Sequence, residues 1–183
     1  MDLEVITKRA ENPRGAAPLL FVHGAWHGAW CWENFTDYFS ARGYDCWALS
    51  LRGHGGSAAT PLRFTGPRLH HYLDDIATVA RTLPAPPVLL GHSMGGALVQ
   101  LYLAESAATH PAAAAGLLAS MPPSGVLKVT LKVARTKPGT FAAANLTGDL
   151  GRLVGTPELV RTLFLSEGVS PDLLHRVAAQ VGP

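Results

Sequence analysis

The stretch that decides the fold runs from Val88 to about Ala107. It reads Val88-Leu89-Leu90, then Gly91-His92-Ser93-Met94-Gly95-Gly96, then an unbroken helix-forming run from Met94 onward. A short apolar run ended by glycine is a buried strand, and the small and apolar residues after it begin a helix with no linker between. The G-x-S-x-G spacing alone says little. With 19 glycines in 183 residues, it arises by chance roughly once in ten such chains. The strand before it and the helix after it supply the missing context. A turn this tight holds its serine in a strained backbone conformation, and a side chain at either flanking glycine would strike neighbouring backbone. Gly91 and Gly95 remove those collisions. Ser93 is then lifted to the carboxyl end of the strand. The amide of Met94 opens the helix and aims a donor at any oxyanion that develops there.

Working outward, Leu19-Leu20-Phe21-Val22 is a second buried strand, ended by His23-Gly24. Trp32 to Ala41 has helical spacing and stops before Gly43, a residue suited to the position after a helix. Tyr44 to Leu51 reads as a strand leading into the turn Arg52-Gly53-His54-Gly55-Gly56-Ser57. Leu69, Tyr72, Leu73, Ile76, Val79 and Leu83 form one apolar helical face. Ala112 to Ala119 is the next strand. Strand alternating with helix at this rhythm predicts a mostly parallel α/β sheet with helices on its faces and right-handed crossovers.

The pattern changes after Met121. Residues 127–133 alternate at strand period, although a helix is also open there. Thr156-Pro157-Glu158 and Ser170-Pro171-Asp172 each give a cap, a first-turn proline and an early acid, so two helices follow. This divides the chain into a core over residues 1–121 and a helical cap region over 122–183.

Composition sets the bounds. One domain's length suffices for a substantial core, and 48% hydrophobic with only 15% charged residues excludes disorder as a description of the whole. A net charge of +2 makes no phosphate-neutralising patch, so no nucleic acid is expected. Cys31 and Cys46 read as reduced small hydrophobes. Residues 82–103 lack charge but contain three prolines and paired glycines, so no membrane span is expected. With no apolar leader, the expected compartment is the cytoplasm. His70 and His71, adjacent on a helix, do not point together, and no cluster has metal-ligand spacing. Without a P-loop or dinucleotide fingerprint, no cofactor is expected.

After the first buried strand comes His23-Gly24-Ala25-Trp26-His27-Gly28-Ala29-Trp30. A tight turn there carries a backbone amide toward Ser93, and that of Ala25 is the candidate. His23, Trp30 and Trp32 are read as packing residues. Trp26 and Met121 are candidate apolar pocket lining.

Phe21-Val22-His23-Gly24, Arg52-Gly53-His54-Gly55 and Gly91-His92-Ser93-Met94-Gly95-Gly96, in that order, resemble the α/β-hydrolase superfamily. The segment from His23 to Trp32 is similar to the branch of methylesterases and hydroxynitrile lyases. The resemblance implies a serine hydrolase, most simply a carboxylic ester hydrolase. Ser93 would be its nucleophile, the Ala25 and Met94 amides its oxyanion hole, and a small ester-like molecule its substrate. Hydroxynitrile-lyase-type C–C cleavage stays open. One departure is Ser50, where the family often has an aspartate two residues before the Arg52 equivalent, which puts a loop contact in doubt.

The resemblance also implies an acid and a histidine after Ser93, each following a further strand. Beyond Ser93 the chain has only His110, expected at the opposite end of the sheet, and His175, on an amphipathic helix. Neither of those strands is encoded, so the last two core strands are expected to be missing. Three readings follow. The chain is the N-terminal part of a hydrolase, weakly active or inactive alone. Or His175 substitutes as base, with Asp149, Glu158 or Glu167. Or the chain is a non-catalytic ligand-binding or interaction module. A strand at Ala112–Ala119 without a neighbour would present unpaired backbone groups and invite a homodimer through that edge.

Overall fold

The computed structural model of the protein describes residues 2–57, 69–106, 109–122, 135, 139 and 154–182. The chain divides into two units, Met1–Pro123 and Ser124–Pro183.

Among its described residues the first unit has five strands: β1 (Val5–Lys8), β2 (Leu19–Val22), β3 (Cys46–Leu49), β4 (Val88–His92) and β5 (Ala114–Leu118). They lie in the order β1-β3-β2-β4-β5. Only β1 runs antiparallel, pairing Val5 with Leu49 and Lys8 with Cys46. The other pairs are parallel. Every residue of β2 and β3 is buried, because a parallel sheet is covered on both faces and its central strands read as continuous apolar runs.

Alternation along β2 divides the core in two. Leu20 and Val22 join Leu49, Ile76, Leu98 and Tyr102 on one side. Leu19 and Phe21 join Trp32, Cys46 and Ala48 on the other. Helix α1 (Glu33–Ser40) and the 3-10 turn Ala29–Trp32 before it supply the second layer. There the Phe21 and Trp32 rings lie 5.0 Å apart. Helices α2 (Leu69–Ala80) and α3 (Met94–Glu105) supply the first.

The sequence expectation of one helix from Trp32 to Ala41 needs a correction. The apolar Ala29–Trp32 turn is 3-10, and the α-helix begins only at Glu33. Its end is as read. Gly43 sits at φ +88, its amide donates to Ser40 O at 3.0 Å and that of Tyr44 donates to Phe39 O at 3.1 Å, a Schellman closure. The strands are shorter at their ends than their apolar runs: Cys46–Leu49 within 44–51 and Ala114–Leu118 within 112–119.

In the second unit, α4 (Pro157–Phe164) and α5 (Pro171–Gln180) start as their sequence signatures indicate. Thr156 and Ser170 side chains accept from the Leu159 and Leu173 amides, each at 3.3 Å, satisfying donors that a helix start leaves open. The two helices pack against each other. Residues 127–133 and Asp149 lie outside the described residues. Among the described residues no helix is long and apolar enough to cross a membrane.

Candidate active site

The chain runs from β2 to β3 on one side and returns to β4 on the other, so strand order reverses between β2 and β4. In open α/β sheets, the crevice beyond the carboxyl ends at such a reversal is the ligand site. The loop after β2 and the turn after β4 meet there.

Ser93 holds φ 52 and ψ −117, a conformation L-residues rarely adopt unless neighbours over-determine it. Its amide donates to Leu118 O at 3.1 Å. Its carbonyl accepts from Gly96 N, Ala97 N and Met121 N at 3.0, 3.2 and 3.0 Å. The strand β5 and the loop behind it therefore clamp the turn, and Met121 is part of that clamp through its backbone. The glycines are needed for space. A Cβ on Gly91 would come 2.5 Å from Gly95 O, and one on Gly95 would run into the Val22 and His23 carbonyl oxygens. Gly96 has the same constraint from the other side, where a Cβ would lie 2.6 Å from Ser120 Cβ.

Facing Ser93 is the turn Gly24–His27, closed by His27 N donating to Gly24 O at 3.4 Å. Trp26 takes the third position at φ 62, where glycine is usual. A Cβ on Gly24 would lie 3.1 Å from Ser93 Cβ and 3.2 Å from His92 Nδ1, so the two loops touch at this glycine. His23 fixes the turn. The Leu51 amide donates to its Nε2 at 3.0 Å, which leaves the proton on Nδ1, and Nδ1 donates to Gly24 O at 2.6 Å. In a trans peptide the N–H points opposite the C=O. Holding the Gly24 carbonyl therefore turns the Ala25 N–H away from His23. His23 was expected to pack. It is fully buried, but it acts as a polar bracket between the loops after β2 and β3. Burial lowers its pKa from 6.5 to about 3, so it stays neutral.

Three further imidazoles surround the crevice. His27 stacks on Trp30 with ring centroids 5.3 Å apart, His54 lies 5.1 Å from His23, and His92 meets the Trp32 edge. Burial, first among the causes, lowers the pKa of His27, His54 and His92 below the ordinary histidine value. Among the described residues no group of three or more His, Cys, Asp or Glu side chains is placed to hold a metal ion.

The contact in doubt at Ser50 is replaced by a carboxylate the sequence reading did not single out. Ser50 Oγ accepts from the Ala29 amide at 2.8 Å and donates to Glu4 Oε2 at 2.5 Å. The same carboxylate oxygen accepts from Gly56 N at 2.9 Å, and Glu4 N donates to Ser57 Oγ at 2.8 Å. Glu4 thus joins the loops after β2 and β3 from the edge of the sheet. No local pattern around Glu4 announces this, because its partners lie some fifty residues away. On the other side of the same turn, Arg52 forks onto the buried Asp75 of α2, with Nη2 to Oδ1 at 2.5 Å and Nε at 3.0 Å from both oxygens.

Among the described residues of the first unit none makes a hydrogen bond to Ser93 Oγ. His110 lies beyond the far end of β4, where Arg81 Nη1 donates to its Nε2 at 3.1 Å. His175 belongs to the second unit, exposed on α5, with Nδ1 donating to Pro171 O at 2.8 Å.

A nucleophile-type turn at the switch point of a mostly parallel sheet defines the class of α/β hydrolases. Residues 19–181 match the model of the alpha/beta hydrolase family, and the chain belongs to it. A pyrethroid hydrolase of Sphingobium wenxiniae is 29% identical over 157 residues, 84% of this chain and 50% of that protein. The probable esterase PIR7A of Oryza sativa subsp. indica is 34% identical over 131 residues, 69% of this chain and 49% of that protein. A crystal structure of a probable hydrolytic enzyme from Pseudomonas aeruginosa superposes with a TM-score of 0.70 at 18% identity, over 98% of this chain and 55% of that one. The chain spans about half the length of the curated relatives it matches.

Proposed function

We propose that the protein is a serine hydrolase acting on a small ester, with Ser93 as nucleophile. The observation that carries this reading is the Ser93 backbone, held at φ 52 between two glycines and set against Gly24. Ser93 Oγ attacks the ester carbonyl carbon, and the carbonyl oxygen becomes an oxyanion accepting from the Met94 and Ala25 amides. Collapse expels the alcohol and leaves an acyl-serine, which water then hydrolyses. Trp26 and Met121 line the apolar part of the crevice. The relatives, a pyrethroid hydrolase and a probable esterase, support an ester as substrate.

A serine needs a base to take its proton, and none of the first unit's histidines bonds to Ser93 Oγ. The base and its acid come, in this reading, from sequence beyond these 183 residues, and the polypeptide alone is weakly active or inactive. Ester turnover measured beside Ser93→Ala tests the assignment. Any turnover above buffer should vanish in the variant, and equal rates would rule Ser93 out. Saturable ester binding without turnover, unchanged by Ser93→Ala, would instead mark a ligand-binding module. The outer edge of β5 bonds to no strand among the described residues, and we place a homodimer contact there for the polypeptide on its own.

A further inference from the structure

Two neighbouring residues after β3 hold the two ends of the segment that carries the Ala25 amide. The Leu51 amide donates to His23 Nε2 at 3.0 Å, and Ser50 Oγ accepts from the Ala29 amide at 2.8 Å. Between these pins lies the turn Gly24–His27, closed by the long 3.4 Å bond from His27 N to Gly24 O, with Trp26 at φ 62. Inside it, His27 Nδ1 donates to Ala25 O at 2.8 Å. These inner bonds shape the turn. The pins at its ends set where it stands against Ser93.

The pin at Ala29 is a hydroxyl, which is free to rotate and to turn its proton rather than a lone pair toward the amide. It faces Ala29 with a lone pair only while its proton has a fixed destination. Glu4 supplies that destination, its Oε2 accepting from Ser50 Oγ at 2.5 Å. The carboxylate is itself held in place. Gly56 N donates to the same oxygen at 2.9 Å, Glu4 N donates to Ser57 Oγ at 2.8 Å, and Ser50 N donates to Glu4 O at 2.9 Å. The turn after β3 is also shaped to admit it. A Cβ on Gly55 would lie 2.6 Å from Oε2, and one on Gly56 would lie 2.7 Å from Oε1. A hydrogen bond to a charged acceptor is among the stronger ones, so the chain Glu4–Ser50–Ala29 is a firm tether from the sheet edge to the crevice.

We propose that Glu4 is a positioning residue for the Ala25 amide, acting through the Ser50 hydroxyl on the Ala29 end of the turn. The role rests on the reading of Ala25 as an oxyanion donor. Its test reads the turn itself, so the outcome is independent of whether Ser93 is the nucleophile.

Amide hydrogen exchange and proton–nitrogen correlation spectra of the full chain provide that test, with Glu4→Ala, Glu4→Gln, Ser50→Ala and the double variant Glu4→Ala/Ser50→Ala. In Glu4→Ala the Ala29 and His27 amides should exchange about tenfold faster. The Ala25 amide and His23 Nδ1–H resonances should move, while the amides of β4 stay within about twofold of the parent. Glu4→Gln offers one oxygen that can take the place of Oε2, and its Ala29 and His27 amides should stay within about threefold of the parent. The double variant should exchange no faster than Ser50→Ala alone, because the two residues act in one chain. Should Glu4→Ala not fold, Ser50→Ala set against Glu4→Gln carries the same comparison. Unmoved Ala25 and His23 signals beside a loosened Ala29 would overturn the proposal. So would β4 amides accelerated by the same factor, which marks a general loss of stability. Exchange in Glu4→Gln as fast as in Glu4→Ala, or additive effects in the double variant, would overturn it as well.

Discussion

At the scale of single residues, the crevice is governed by space and by uncharged imidazole. A Cβ on Gly95 runs into two carbonyl oxygens of the strand end and loop opposite, and backbone cannot step aside as a flexible side chain can. Gly95→Ala should therefore cost about 3 kcal/mol or more, read as a lowered urea midpoint at constant slope. His23 adds a dependence on pH. Its folded pKa of about 3 lies below the unfolded 6.5, so between those values the unfolded chain binds the extra proton. Stability is complete above 6.5 and falls as pH drops through that window. From His23 alone the loss at pH 5 is about 2 kcal/mol, and His27, His54 and His92 act in the same direction. Urea midpoints at pH 7.5 and 5.0 check this, with His23→Gln expected to show a shallower slope. Ser93 and its glycines were legible because their constraint is local: strand, turn and helix are contiguous. The bracket made by His23 was not, since its second partner is the Leu51 amide, twenty-eight residues on, and packing and polar roles leave the same mark in sequence.

At the scale of elements, the ends of secondary structure carry the instruction. Gly43 closes α1 with a Schellman motif at φ +88, and a Cβ there would meet Asn12 O at 2.8 Å. Gly43→Ala should destabilise by about 2 kcal/mol, measured by the same denaturation. Asp75 ties α2 to the turn after β3, and its loss would leave the Arg52 guanidinium unpaired in a site where only 13% of that side chain is exposed. Asp75→Asn should cost about 3 kcal/mol, read as a lowered urea midpoint. The buried strands were legible as apolar runs, and α4 and α5 as repeats of one capping signature. Strand ends were over-read, because apolar residues continue past the last ladder bond when the chain stays buried. The strand β1 escaped notice, since at the sheet edge Ile6, Thr7 and Lys8 are exposed and no alternation marks it.

At the scale of the molecule, the order β1-β3-β2-β4-β5 places Gly24 and Ser93 at one crevice; the rhythm of strands and helices implied a parallel sheet but not that order. What the rhythm does not contain is a base for Ser93. The same arrangement leaves β5 with a neighbour on one side only among the described residues, and Leu117 on it is 48% exposed. An open edge of this kind pairs with another chain. Light scattering of the isolated polypeptide should show a dimer or larger species, and a monodisperse monomer would contradict edge pairing. The most direct test of the whole account is the intact mass of the purified chain before and after a fluorophosphonate, which labels activated serines. The account predicts an unchanged mass, because the proposed reading has Ser93 positioned and takes its base from sequence beyond these 183 residues. A single adduct that disappears in Ser93→Ala would contradict it, and would mean that a histidine within this chain or its copy, His175 first among them, takes the proton.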